Sequence, residues 1–199
     1  MEDSFFDLDA NEANRLSNRG LLSMDIERLV RKTGLTGGQI ERLHWRWCSL
    51  GGQQKGYISS KDLQIPELIK NPFGERIIYA FVSQNPGGKL TFEDFVLSLA
   101  RFAPHHKPNI TINSDEAKLS FLFQVLDVEN RQKITPEIML AVVEALKGSS
   151  KNEEKMKETI KLIFDEIDIE RKNYISFEEF FKALKESDVK SVLSFNFLN

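Results

Sequence analysis

The chain has 199 residues, 41% hydrophobic and 29% charged, with a net charge of -3, as expected of an ordinary globular protein of one domain or two small lobes. The near balance of 27 basic and 30 acidic residues gives no hint of nucleic-acid binding. The single cysteine, Cys48, excludes an internal disulfide framework, and no apolar run approaches the roughly 18 residues of a membrane span.

Residues 1–35 read as an amino-terminal arm. Its start, Met1-Glu2-Asp3-Ser4, lacks the basic opening of a signal peptide and lacks glycine at position 2, so a cytoplasmic chain without a myristoyl anchor is expected. Thr36-Gly37-Gly38-Gln39 has the spacing of a capping box and leads into Ile40, Leu43 and Trp47 at helical intervals. Asn71-Pro72 reads as a second helix start, with Ile77, Ile78 and Phe81 on one side. Thr91-Phe92-Glu93-Asp94 opens another helix, carrying Phe95, Val96, Leu99 and Phe102. Residues 103–114, with Pro104 and Pro108 and no sustained apolar period, read as a linker. Beyond it Ser114 caps a helix bearing Leu119, Leu122, Phe123 and Leu126, and Thr135-Pro136 starts one with Met139, Val142, Val143 and Leu146. Gly148-Ser149-Ser150 is its stop. A helix from Glu153 carries Met156, Ile160, Ile163, Phe164 and Ile167, and Ser176-Phe177-Glu178-Glu179 is a further capping box before Phe180, Phe181 and Leu184.

These segments repeat one plan. An apolar helix is followed by a loop of about a dozen residues with one central aliphatic residue, then by a helix capped by Ser or Thr. The copies centre on Ile58, Leu90, Ile134 and Ile175. That is the skeleton of an EF-hand, whose central aliphatic residue pairs with the facing loop. The expected fold is therefore all-α: two lobes of paired EF-hands, each pair joined by a minimal two-stranded β-bridge. The amino-terminal lobe spans 36–102 and the carboxy-terminal lobe 115–187, with an apolar tail over 188–199.

With the central aliphatic residue at loop position eight, the ligand positions one, three, five, seven, nine and twelve can be assigned. The first loop, Gly51 to Asp62, has Gly51, Gln53 and Lys55 at one, three and five, and the short Asp62 at twelve. The second, Ser83 to Asp94, has Ser83, Asn85 and Gly87. The third, Asp127 to Ile138, keeps Asp127 and Glu129 but has Arg131 at five and Ile138 where the bidentate acid belongs. The fourth, Asp168 to Glu179, is the best preserved, with Asp168, Glu170, Ser176 and Glu179 at one, three, nine and twelve. Lys172 nevertheless stands at its position five. Like charges about 4 Å apart repel by roughly 4 kcal/mol at an effective dielectric near 20. No bound calcium, or weak calcium at the fourth loop alone, is thus the expectation. The basic residues Lys55, Arg131 and Lys172 read as built-in counter-ions that hold their loops closed without metal. The competing account leaves them in solvent, since exposed ion pairs contribute little.

Several segments resemble the calcineurin B homologous proteins. They are Lys32-Thr33-Gly34-Leu35-Thr36 with Gln39-Ile40-Glu41-Arg42-Leu43-His44, and Ile65-Pro66-Glu67-Leu68 with Asn71-Pro72-Phe73-Gly74-Glu75-Arg76-Ile77-Ile78. Phe92-Glu93-Asp94-Phe95, Phe102-Ala103-Pro104 and Phe197-Leu198 extend the likeness over roughly residues 30–199. The resemblance implies a regulatory cofactor of plasma-membrane sodium/proton exchangers that binds a helix of the exchanger's cytoplasmic tail beside the membrane. Calcineurin B plays a like role for a phosphatase. The family's amino-terminal glycine and its intact third and fourth calcium loops are missing here.

An amphipathic helix in an apolar groove is the EF-hand mode of binding. The residues expected to line that groove are Phe81, Phe95, Leu99, Phe123, Met139, Val143, Phe164 and Phe180. The tail residues Val189, Val192, Leu193, Phe195, Phe197 and Leu198 read as a last packed element or as a removable cover. Catalysis is not expected. Cys48 and His44 lie one helical turn apart without an acid or oxyanion partner, and His105-His106 lacks the further ligands of a zinc site.

Overall fold

The computed structural model describes residues 23–103, 111–147 and 153–187. The described residues form ten α-helices and no extended strand, and two isolated antiparallel bridges link Ile58 to Leu90 and Ile134 to Ile175. Each bridge is a reciprocal pair of backbone hydrogen bonds: 2.9 and 2.8 Å between Ile58 and Leu90, and again 2.9 and 2.8 Å between Ile134 and Ile175. All four bridging side chains are fully buried. The central aliphatic residues thus pair loop one with loop two and loop three with loop four, as two EF-hand pairs require.

The first helix, α1 (Ser23–Thr33), lies inside the segment read as an arm. Ile26, Leu29, Val30 and Thr33 fall at helical spacing, and Leu29 is sealed in the amino-terminal core. Two ion pairs dock the polar side of α1 on a later helix: Arg28 and Lys32 reach Glu93 at 2.7 and 2.6 Å. This part of the arm is therefore a packed element of the amino-terminal pair.

The amino-terminal pair continues with α2 (Gly37–Ser49), the short α3 (Gly52–Lys55) inside loop one, α4 (Pro66–Ile69), α5 (Gly74–Val82) and α6 (Phe92–Ala100). Capping boxes at Thr36 and Thr91 satisfy the first free amides of α2 and α6. The Asn71-Pro72 start lies elsewhere than expected. Asn71 accepts a hydrogen bond from the Phe73 amide at 2.8 Å, Pro72 occupies the turn, and α5 begins only at Gly74. Gly74 is there for a steric reason: a Cβ on it would sit 1.7 Å from the Leu68 carbonyl oxygen.

The carboxy-terminal pair comprises α7 (Asp115–Leu126), α8 (Pro136–Lys147), α9 (Glu153–Ile167) and α10 (Phe177–Leu184). Ser114 caps α7 and Ser176 caps α10, the latter through a full capping box. Helix α8 packs on α9, and α7 on α10, around Leu119, Phe123, Ile160, Phe164 and Phe180. The stop at Gly148-Ser149-Ser150, His105, His106 and the tail 188–199 lie outside the described residues.

The two pairs pack against each other through α5 and α7. Phe81, Phe102 and Phe121 form a cluster with ring centroids 5.0 to 6.4 Å apart, edge-on or tilted. Ala80 and Val125 complete it. The Arg76 guanidinium donates to the Leu126 carbonyl at 3.2 Å, and the Gln84 amide donates to Gln124 across the same seam. A short 3-10 turn at Thr111–Asn113 leads into α7, and Asn113 donates to the Ala103 carbonyl at 2.7 Å.

Two substitutions test this packing. Gly74→Ala forces a Cβ against the Leu68 carbonyl, and the unfolding free energy from urea titration is expected to fall by the upper end of the roughly 1–3 kcal/mol typical of overpacking. Phe121→Ala empties the seam between the pairs and is expected to cost about 3 kcal/mol or more. Calorimetry should then resolve two melting transitions where the parent chain shows one.

Candidate functional site

The four loops hold the residues singled out above, and each is closed differently. In loop four, Asp168 is buried and turned onto the loop backbone: its carboxylate accepts from the Lys172 and Asn173 amides at 3.0 and 2.6 Å. This bends the chain through left-handed Arg171 and Asn173, at φ 53° and 62°. Asn tolerates that region with little penalty, Arg less so.

The far end of the loop converges on one oxygen. Glu179 Oε2 accepts from the Ser176 amide at 3.0 Å, from the Ser176 hydroxyl at 2.7 Å and from Lys172 Nζ at 3.0 Å. Lys172 Nζ also lies 3.0 Å from Glu170 Oε2. One ammonium therefore spans the acids at positions three and twelve. Hydrogen bonds to Glu170 and Glu179 push the Lys172 pKa far up. Burial pushes the Glu179 carboxyl up, but the Ser176 and Lys172 hydrogen bonds outweigh it and leave the carboxyl below its ordinary value.

Loop one repeats the arrangement with different parts. Gly51 and Gly56 take the left-handed region on either side of α3. Gly52 packs beneath Trp47, where a Cβ would meet the indole at 2.3 Å. Asp62 accepts from Lys55 Nζ at 2.5 Å and from the Ser59 amide and hydroxyl, both at 2.8 Å. Burial raises the Asp62 pKa; the bonds from Lys55 and Ser59 overcome it and leave the group lowered.

Loops two and three lack this contact. In loop two, Asp94 accepts from Thr91 only as a helix cap, at 3.1 Å from its amide and 2.6 Å from its hydroxyl. In loop three, Asp127 accepts from the Arg131 and Gln132 amides at 3.0 and 2.7 Å. Arg131 Nε reaches Glu129 at 2.9 Å on the exposed surface, and the half-buried Ile138 offers no oxygen at position twelve. Gln132 is held at φ 58° without a glycine's freedom.

The donor sets do not fit a calcium ion. Calcium needs six to eight oxygens. Here Lys172 and Lys55 already stand on the position-twelve carboxylates, loop three has an aliphatic side chain there, and loop two has no acid before Glu93 and Asp94 at its end. Among the described residues no group of three or more His, Cys, Asp or Glu side chains is placed to hold a metal.

The residues expected to line a groove fall into two sets. Phe95, Phe123, Phe164 and Phe180 are buried in the two cores, whereas Phe81, Leu99, Met139 and Val143 are half-buried. A cleft of about 860 Å³ opens between α8 and α9 over Leu140, Ile160 and Phe164, with Lys161 and Asp165 on its rim. His44 and Cys48 lie 3.7 to 3.9 Å apart, and the His44 ring packs against Trp47 and Phe92. Burial lowers the His44 pKa and raises that of the Cys48 thiol. Both shifts favour neutral groups, the reverse of the thiolate and imidazolium that a cysteine nucleophile uses. No helix among the described residues is long and apolar enough to cross a membrane.

The loop acids give an acid-sensitive stability. A carboxyl whose folded pKa is depressed contributes stability that is complete above its unfolded pKa and is lost as pH falls through the folded value. The parent chain is expected to be more stable than Glu179→Gln at neutral pH. The difference should close as pH drops below the ordinary Glu value of 4.5, as read by denaturation midpoints across pH.

Known proteins place this geometry in a family. A model of the EF-hand domain pair matches residues 116–185, the carboxy-terminal pair. Calcineurin B homologous protein 3 of Xenopus laevis is 31% identical over 202 residues, covering 89% of this chain and 93% of that protein. Calcineurin B of Schizosaccharomyces pombe is 27% identical over 173 residues, covering 86% and 95%. Calcineurin B type 2 of Dictyostelium discoideum is 29% identical over 186 residues, covering 92% and 97%. With two bridged EF-hand pairs and this likeness running along most of its length, the chain belongs to the calcineurin B and calcineurin B homologous protein family of non-catalytic, regulatory EF-hand proteins.

Proposed function

We propose that this protein is an adaptor that binds an amphipathic helix of a partner protein largely without calcium, the partner being the cytoplasmic juxtamembrane tail of a sodium/proton exchanger. The observation that carries the calcium-independent part is the occupation of the Glu179 and Asp62 carboxylates by Lys172 and Lys55. In calcium sensors the ion supplies the energy that exposes the groove. Here side chains of the chain itself satisfy those carboxylates, so groove formation is left to the fold or to the partner.

Support for the helix-binding part comes from the family and from the surface. The partner helix rests on half-buried Leu99 beside the amino-terminal core of Phe95, and on half-buried Met139 and Val143 of the pair whose core holds Phe123, Phe164 and Phe180, with Phe81 at the seam between the EF-hand pairs. The cleft over Leu140, Ile160 and Phe164 has an apolar base and a charged rim, the chemistry an amphipathic helix presents in reverse. Leu146 and Leu162 add exposed apolar surface on α8 and α9. Such an adaptor works in the cytoplasm and reaches the plasma membrane through its partner. The relatives named for calcineurin itself favour a second partner class, the catalytic chain of a phosphatase.

Titration of the purified chain with a fluorescent exchanger juxtamembrane peptide, and separately with a helix from a phosphatase catalytic chain, tests the reading. The exchanger peptide is expected to bind with the same affinity in calcium and in chelator, and Met139→Asp to weaken it by at least about tenfold, the scale of removing a buried apolar anchor. Binding that appears only with calcium points instead to a sensor using Asp168, Glu170, Ser176 and Glu179. Preference for the second peptide transfers the reading to the phosphatase class.

A further inference from the structure

Loops one and four look unrelated at their starts, Gly51-Gly52-Gln53 against Asp168-Ile169-Glu170, but they converge from position five onward. Loop one reads Lys55-Gly56-Tyr57-Ile58-Ser59, then Asp62; loop four reads Lys172-Asn173-Tyr174-Ile175-Ser176, then Glu179. Each member of this pattern has a matching contact. The lysine holds the position-twelve acid, at 2.5 Å in loop one and 3.0 Å in loop four. The serine gives that acid both its amide and its hydroxyl. The tyrosine ring lies beneath the lysine ammonium, with 5.8 Å from Lys55 Nζ to the Tyr57 centroid and 5.2 Å from Lys172 Nζ to Tyr174.

The facing loops complete the figure. Loops two and three each place a lysine at position seven, diagonally across the β-bridge from the tyrosine. Lys89 Nζ lies 4.5 Å from the Tyr57 centroid, and Lys133 Nζ lies 5.5 Å from Tyr174. Each EF-hand pair therefore carries one tyrosine approached by two ammonium groups, one from its own loop and one from its neighbour. An aromatic face attracts such cations, and the first ammonium is further fixed by the position-twelve carboxylate.

The geometry points to Lys55 and Lys172 as the resident cations of their EF-hand pairs: one ammonium per pair occupies the carboxylate that calcium would draw in, and a tyrosine shared with the facing loop's lysine ties the two loops together. This rests on the calcium-independent reading above and specifies what replaces the metal. It also separates the three basic residues at position five. Arg131 pairs with exposed Glu129, has Ile138 at position twelve of its loop, and is not a latch. The device is one per pair, in loop one and in loop four, and each latched loop supports an unlatched neighbour through the bridge.

Thermal melts and calcium calorimetry on the full chain test this with four variants. The parent is expected to show no calcium heat and one melting temperature in calcium or chelator. Lys172→Met and Lys55→Met should melt lower, with no recovery on adding calcium chloride, while Lys172→Arg, which keeps the charge, should melt close to the parent. Lys172→Asp supplies an oxygen at position five beside Asp168, Glu170 and Glu179; it should gain calcium binding, and calcium should raise its melting temperature. The proposal is overturned if the parent takes up calcium at loop four, if both methionine variants melt with the parent, or if Lys172→Asp takes up none. Partner-peptide affinity is not an outcome here, so a failed latch and a failed helix-binding role are told apart.

Discussion

The position-twelve acid of an EF-hand joins the loop to the helix that leaves it. Its carboxylate is partly buried, so it must find positive or hydrogen-bonding partners, or the loop end is left with an uncompensated charge. Calcium is the usual partner, because a divalent ion also gathers the other ligand positions. In this chain a serine two-point contact and a lysine ammonium stand at the Asp62 and Glu179 carboxylates. Each loop closed in this way is bridged to a neighbour that is not, Ile58 to Leu90 and Ile175 to Ile134, and all four bridging side chains are buried.

A metal-free loop differs energetically from a calcium loop in what it responds to. An ion couples loop geometry to a concentration, since binding stabilises only the state that holds it. A covalently attached ammonium is always present, so its contribution depends on pH and ionic strength, not on a signalling ion. The partly shielded setting of Lys172 and Glu179 limits screening more than at the exposed Arg131 and Glu129. On the proposed reading, a regulatory protein with such loops contributes a standing surface to its partner. Between the pairs, the Phe81, Phe102 and Phe121 cluster and the Arg76 contact to the Leu126 carbonyl hold the two surfaces in one arrangement.

Much of the fold was legible because its signals are local. Capping boxes at Thr36, Thr91 and Ser176 announce themselves by a hydroxyl and an acid or amide three residues on, and the bridging residues by their place within the loops. Helix α1 is missed although Ile26, Leu29 and Val30 carry its period, because charged residues surround them and Glu93, the partner of Arg28 and Lys32 on its polar side, is sixty-odd residues away. The start of α5 was misplaced because Asn71-Pro72 fits both a helix start and the turn that precedes one. What decides between them is the Leu68 carbonyl pressed against Gly74.

The same division holds at the loops. Position numbering alone shows that Lys55, Arg131 and Lys172 stand where an oxygen ligand belongs, since the EF-hand register follows from sequence spacing. It does not show where a flexible four-carbon side chain points. The repeated Lys-x-Tyr-Ile-Ser pattern was a signal present in the sequence, but its meaning depends on Lys89 and Lys133 arriving from the facing loops. Sequence determined the capped helices, the loop register and the deficit of oxygen ligands, all of which depend on neighbours within a few residues. Only the tertiary structure decided which cations found a carboxylate, which phenylalanines closed the seam and which stayed half-exposed, because those outcomes depend on contacts between segments far apart along the chain.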